Sequence, residues 1–224
     1  MRRKKRGTLL LASGIALLLG ALGLAGYNLW DENRAAAAAD SAMTELNGII
    51  VPSGISPEDL TDTSGEVRVP DYILDPDMEM PALEVNGSRY VGCLEIPVLE
   101  LELPVMENWS YPNLKRSPCR YTGTPYRNNM VLAAHNYPRH FGRLKELMEG
   151  DEVRFTDVDG NVFTYTVAEQ ERLDPQPVEA MLAGDWDLSL FTCTLGGQYR
   201  VTVRCVRAQT EPQPQNVLSP KPPD

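Results

Sequence analysis

Leu188-Ser189-Leu190-Phe191-Thr192-Cys193 and, seven residues after the cysteine, Arg200-Val201-Thr202-Val203-Arg204 are the stretches that decide the fold. Both alternate with the two-residue period of a strand, and the short spacer makes them a hairpin across residues 194–199. In the second strand Val201, Val203 and Cys205 share one face, which assigns Cys205 to the core, while Arg200, Thr202 and Arg204 share the other. In the first, Trp186, Leu188 and Leu190 face one way and Asp187, Ser189, Phe191 and Cys193 the other, which turns Cys193 toward a groove. A thiol at the end of one strand then lies beside a fixed positive charge at the start of the next. Such a charge favours thiolate over thiol and can donate to an oxyanion. Arg204 and Arg207 read as arginines of a solvated strand face.

Upstream, Met130-Val131-Leu132-Ala133-Ala134-His135 is an apolar run ending in a histidine. A free cysteine is more often a small buried hydrophobe than a nucleophile, and a lone histidine after a strand is more often structural. The coincidence of Cys193, His135 and Arg200 at strand ends is what points to cysteine-based acyl transfer, with His135 as base and then as acid to the leaving amine. His140 is the rival imidazole, in the loop Tyr137-Pro138-Arg139-His140.

Further strands are expected over 90–96, 101–106, 128–135, 152–157 and 162–172, the last two around Asp159-Gly160, a hairpin dipeptide whose favoured turn needs positive φ at both positions. Phe141, Leu144, Leu147 and Met148 recur at helical spacing, and 177–182 offers a second short helix. The class is mainly β, a barrel of seven or more strands with two or three brief helices.

Before the barrel, Arg2, Arg3, Lys4, Lys5 and Arg6 precede an uncharged run over 7–30 rich in Leu, Ala and Gly. A bilayer span needs about 20 apolar residues, and the core of a cleaved signal roughly 7–15, so the run reads as a transmembrane helix; cleavage near residues 35–39 is the alternative. The basic tip at 1–6 stays cytoplasmic, a single-pass type II topology with the rest outside the cell membrane. Residues 31–88 are acidic and Pro-rich and read as a stalk, with an Ala run at 35–39 extending the membrane helix until Gly48 and Pro52 end it. The segment around 52–59 buries little and is expected to move. Residues 89–208 form the catalytic domain, and 209–224, with five prolines, a disordered tail.

Beyond residue 30 the chain carries 16 Lys and Arg against 31 Asp and Glu. Such an acidic field repels phosphates and gives no support for a nucleic-acid partner. Cys93, Cys119, Cys193 and Cys205 allow three full pairings, but a nucleophilic Cys193 leaves at least one further thiol free. Their spacing is not that of a zinc site, and neither metal nor cofactor is expected.

Three segments taken together resemble the sortases, membrane-anchored cysteine transpeptidases of Gram-positive surfaces. Ser189-Leu190-Phe191-Thr192-Cys193 is similar to their Thr-Leu-x-Thr-Cys signature, with Ser189 departing from threonine; Ala134-His135-Asn136 resembles their histidine site and Arg200-Val201-Thr202-Val203-Arg204 their arginine strand. Tyr90-Val91-Gly92-Cys93-Leu94-Glu95-Ile96-Pro97 looks like the opening strand, and Phe141-Gly142-Arg143-Leu144 with Gly150-Asp151 like the region after the histidine.

The resemblance implies an eight-stranded sortase β-barrel, and an enzyme whose Cys193 attacks an LPxTG-like sorting signal. The resulting thioacyl intermediate passes to an amine from a cell-wall precursor or a pilin. It implies His135 and Arg200 as the other catalytic groups and Asn136, Phe191 and Thr192 as substrate contacts. His135-Asn136 resembles class B members, but the insertion before the cysteine strand is short. Pilin-type members carry a lid with an Asp-Pro-aromatic motif; Asp75-Pro76 resembles its start, with Asp77 in place of the aromatic. Two other readings stand beside this one. An L,D-transpeptidase lacks its usual Ser-x-Gly-Cys-x-Arg surroundings here, and a noncatalytic surface-binding module would be stapled by a Cys193–Cys205 disulfide.

Overall fold

The computed structural model describes residues 2–51, 69–174, 182–194 and 196–208. The mobile segment expected around 52–59, residues 177–181 of the second short helix, Leu195 and the tail from 209 lie outside the described residues.

The described residues form nine strands: β1 (Leu83–Val85), β2 (Ser88–Ile96), β3 (Leu101–Met106), β4 (Cys119–Thr122), β5 (Met130–Ala133), β6 (Glu152–Asp157), β7 (Val162–Leu173), β8 (Leu188–Cys193) and β9 (Arg200–Arg207). Their order is β1-β2-β3-β4-β5-β8-β9-β7-β6, and a β2–β6 pairing closes the last eight into a barrel, leaving β1 as a flap on β2. The pairs β3–β4 and β5–β8 are parallel and the rest antiparallel. Leu94, Leu132, Leu188, Leu190, Phe155, Phe163 and Cys205 fill the interior. Phe141 and Leu144 close it from a 3₁₀ segment, Phe141–Glu146, where the helical spacing was read; Met148, counted in that pattern, is exposed.

β1 and β4 were not anticipated from sequence; each is four residues or shorter, too brief for alternation to register. The β6–β7 connection also differs from expectation. Gly160 has φ 86° but Asp159 is not among the positive-φ residues, because Asp157 organises a longer loop by accepting from the Asp159 and Asn161 amides at 3.0 and 2.9 Å. Asn86-Gly87 instead makes the two-residue turn with both φ positive, 51° and 69°, and Val85 paired with Ser88.

α1 (Arg2–Asn47) is one unbroken helix. From Leu10 to Trp30 its large side chains stand exposed, whereas Ala35, Ala36, Ala39, Ala42, Met43 and Leu46 are buried. That stripe recurs every three to four residues and seats the helix on β3 and β1. The stretch read as a stalk is therefore packed on the barrel over 35–50. Composition missed this because alanine looks neutral in a hydropathy count yet allows the closest approach of a helix to a sheet. Two short helices follow, α2 (Asp71–Leu74) and α3 (Tyr111–Leu114).

Closure of the barrel rests on Gly92, which sits at a bulge and pairs with both Val105 and Asp157. A Cβ there would lie 2.1 Å from the Thr156 carbonyl oxygen, a backbone atom that cannot swing away. Gly92→Ala is expected to cost about 3 kcal/mol, the upper range for forced overpacking. Chemical denaturation of the purified protein checks this, and a loss under about 1 kcal/mol would show that the seam is not set by this contact.

Candidate active site

Strands β5, β8 and β9 are neighbours, and each ends or begins with one of the three residues singled out from sequence. Cys193 pairs directly with Arg200 across β8–β9, so the two side chains share a face. On the other side, β5 and β8 run parallel with Ala133 opposite Phe191; continuing that register by two residues sets His135 level with Cys193, one strand spacing or about 4.8 Å away between backbones. The join is tied on both strands: the Ala134 amide donates to the Phe191 carbonyl at 3.2 Å and the Thr192 hydroxyl to the Ala134 carbonyl at 2.8 Å. His135, Cys193 and Arg200 thus stand in a row at one end of the barrel.

Cys193 is half-buried and unbridged. The Arg200 guanidinium rests on the Gly197 and Tyr199 carbonyls at 3.3 and 3.4 Å, with Arg172 stacked 4.0 Å over the Tyr199 ring behind it. Burial holds the His135 imidazole below its usual pKa, with the Asp31 carboxylate pulling the other way and Lys115 adding to the depression. Its Nε2 has no hydrogen-bond partner among the described residues. The arrangement can supply a nucleophilic sulfur, a neutral base and a fixed cation to one reacting carbonyl. Among the described residues no cluster of three or more His, Cys, Asp or Glu side chains is placed to hold a metal ion.

The loop after His135 is tightly knotted. Phe141 donates to the His135 carbonyl at 3.2 Å, and His140 and Gly142 both donate to the Tyr137 carbonyl at 2.9 Å. A Cβ on Gly142 would sit 2.8 Å from that carbonyl and 3.1 Å from Asn136 Oδ1, so this position has no room for a side chain.

His140 is fully buried, with neither ring nitrogen partnered among the described residues and the Tyr137 ring 5.5 Å away. It is enclosed and cannot meet a substrate, which removes it as a rival base. Of the sites tied to substrate by resemblance, Asn136 is half-buried beside Gly142. Phe191 lies on the outer face of β8, edge-on to Tyr121 at 5.5 Å. Thr192 differs from that reading: alternation turns it inward with Leu190, and its hydroxyl is committed to Ala134, so it holds the strands rather than a ligand.

Arg204 is a second correction. It is buried, not solvated, and its guanidinium donates to Glu171 Oε2 at 2.8 Å and to Ser189 Oγ, its cross-strand partner, at 2.9 Å. The other thiols are inert by environment: burial pushes Cys93, Cys119 and Cys205 up to about 12. Cys205 pairs with Leu188, five residues along β8 from Cys193 and about 17 Å away, so the disulfide of the binding-module reading cannot form.

The Sortase domain family profile matches residues 94–208, the barrel from β2 to the end of β9. The chain belongs to the sortase family. Solved sortases share its barrel: sortase C of Streptococcus pneumoniae, with 25% identity and a TM-score of 0.50, aligns over 57% of this chain and 72% of that one. Sortase C1 of Streptococcus agalactiae, at 23% and 0.51, covers 58% and 72%, and a pilus-related sortase C of Group B Streptococcus, at 22% and 0.50, covers 62% and 79%. Comparison with curated proteins gives no match.

The segment that resembles the start of a sortase lid is not over the cysteine. Tyr72 stacks on Tyr126 at 4.9 Å, and Asp77 pairs with Arg127 at 2.8 Å. Asp75 and Pro76, between them, therefore lie at the end of the barrel where β5 and β8 begin, about 17 Å along β8 from Cys193.

Two outcomes follow from this geometry. Replacing Asp75 and Pro76 by glycine is expected to leave the alkylation rate of Cys193 within twofold of the parent; a tenfold rise would show that the segment covers the thiol. Burial pushes the His140 pKa down to about 4 from 6.5. The unfolded chain therefore takes up the proton first, and stability, complete above about pH 6.5, is lost as pH falls toward 4. The loss attributable to His140 is about 2 kcal/mol between pH 7 and pH 5. Denaturation at the two pH values should show it in the parent and not in His140→Gln.

Proposed function

We propose that this sortase is a transpeptidase in which Cys193 is the nucleophile, His135 the proton carrier and Arg200 the oxyanion or substrate clamp. The alignment of the three on adjacent strands, inside the segment matched by the family, is the observation that carries this reading. The substrate is an LPxTG-like sorting signal. The Cys193 sulfur, its proton passed to neutral His135, adds to the carbonyl carbon of the Thr–Gly bond, and Arg200 meets the developing oxyanion. The C–N bond breaks as His135 returns the proton to the leaving amine, which leaves a thioester. An incoming amine attacks that thioester, gives its proton to His135 and expels the sulfur, so the acyl group ends in a new amide. The similarity to sortase C structures favours a pilin lysine over a cell-wall precursor as that amine. The basic residues at 2–6 and the exposed apolar helix after them support a barrel held outside the cell on that helix as its membrane anchor.

Incubating the full chain in detergent with a library of sorting peptides should yield a thioacyl adduct on Cys193 by mass spectrometry. Cys193→Ala should yield none. His135→Ala should slow formation by roughly 10²–10⁴ and Arg200→Ala by about 10²–10³. With a lysine-bearing pilin-type peptide and a cell-wall-type amine supplied together, the lysine product should dominate. An adduct that persists in Cys193→Ala, or an unchanged rate in His135→Ala, would overturn the assignment.

A further inference from the structure

The membrane helix and the catalytic end of the barrel are joined by contacts that the enzyme reading does not use. α1 leaves its exposed apolar stretch at Trp30 and continues without a break to Asn47. The exit is marked by exposed Tyr27 and Trp30, rings 5.9 Å apart, with the Arg34 guanidinium 5.6 Å over Trp30. Aromatic rings and a basic side chain of this kind settle at headgroup depth. The very next residue, Asp31, accepts from the Tyr137 hydroxyl at 2.6 Å, and the Tyr137 ring lies 5.1 Å from that of His135.

Higher up the helix, Arg139 donates twice to Asp40 at 3.0 and 2.8 Å, Asn86 to Glu45 at 2.7 Å, and Asn47 to Glu102 at 3.2 Å. At 1.5 Å per residue, Asp40 is about 14 Å and Glu45 about 21 Å further from the bilayer than Asp31. The histidine loop is thus attached at the lowest level, and the β1–β2 hairpin and β3 at the highest. The Tyr137 hydroxyl leads the lowering of the Asp31 pKa and burial that of His135, with exposed Lys115 adding a smaller part to each, and exposed Tyr111 stands one turn before Lys115 in the chain.

We propose that residues 31–47 of α1 are a rigid clamp that holds the barrel with its catalytic end turned onto the bilayer surface. The partner of the rim around Tyr111, Lys115 and Tyr137 is the lipid headgroup layer. An acyl donor tethered to the bilayer near its scissile bond is then presented at the depth of Cys193. A peptide held at that depth meets Cys193 without the barrel having to reorient. The substrate part of this inference rests on the assignment of Cys193, His135 and Arg200 as the acyl-transfer site; the orientation itself does not.

The full chain in vesicles of phosphatidylglycerol and phosphatidylethanolamine tests both. In a Cys193→Ala background, a fluorophore on Lys115→Cys should be quenched at least fivefold more strongly by a headgroup-attached quencher than one on Glu84→Cys, which sits on the flap near Glu45. Ala39→Glu/Ala42→Glu, which drives two carboxylates into the buried stripe, the first beside Glu100 and Glu102 and the second into an apolar cluster, should abolish that difference while the barrel keeps its thermal unfolding transition. With Cys193 restored, the same pair of substitutions should slow acyl transfer from a membrane-tethered sorting peptide at least fivefold and leave a free peptide within twofold. Equal quenching at the two positions overturns the clamp whatever the activity. Unequal quenching with no thioacyl adduct from any peptide upholds the orientation and rejects the acyl-transfer reading.

Discussion

Everything in the site hangs on the parallel pairing of β5 with β8. Parallel neighbours cannot be joined by a tight turn, so Met130–Ala133 and Leu188–Cys193 come from segments separated by the whole β6–β7 hairpin and its crossovers. Their register is held at the Cys193 end by the Thr192 hydroxyl on the Ala134 carbonyl and the Ala134 amide on Phe191. A slip of one residue would turn Leu188 and Leu190 out of the barrel and carry Cys193 into it. The apolar interior and the position of the thiol are therefore one constraint, and the row of His135, Cys193 and Arg200 inherits its accuracy from core packing.

The same logic explains the charge buried beneath the row. Arg204 is two alternations along β9 from Arg200, on the same face, and opposite Ser189. An arginine cannot shed its proton to relieve burial, so Glu171 on β7 and the Ser189 hydroxyl are requirements of that position rather than decoration. Glu171 keeps 29% of its side chain exposed, so water shares in stabilising the pair, which links β7, β8 and β9 more than it strengthens the fold. The serine that departs from the family threonine retains the one feature the arginine needs, a hydroxyl acceptor.

What sequence revealed and what it hid divides along the range of the physics. Alternation places Cys193, Arg200 and Cys205 on their observed faces because a strand's period is local, and the same period turns Thr192 inward. It failed for Arg204, since exposure depends on what lies over a face, and the covering partner, Glu171, is 33 residues away in the chain. His135 was found by its place at a strand end, yet the groups that set its electrostatics, Asp31 and Lys115, come from a helix and a loop with no local signal linking them to it. Asn86-Gly87 makes the turn that its dipeptide signals, whereas Asp159-Gly160 carries a similar signal and does not, because the buried Asp157 carboxylate draws the following amides into a wider loop.

The alanine stripe of α1 shows why a hydropathy profile ends too early. The profile sees an apolar helix and then an acidic stretch, and divides them at Trp30. The structure puts a second boundary on the same helix: from Leu10 to Trp30 the large side chains are exposed, and from Ala35 the small ones are buried. A mobile stalk would let the barrel sample every orientation above the membrane. A continuous helix with a buried stripe and bonds at three heights removes that freedom, so the entropy lost in docking is spent once, during folding, instead of at each encounter with a substrate. Helix, loop and barrel are then tied together, and Asp31, just past the exposed apolar stretch, is also the group that moderates the desolvation of the histidine.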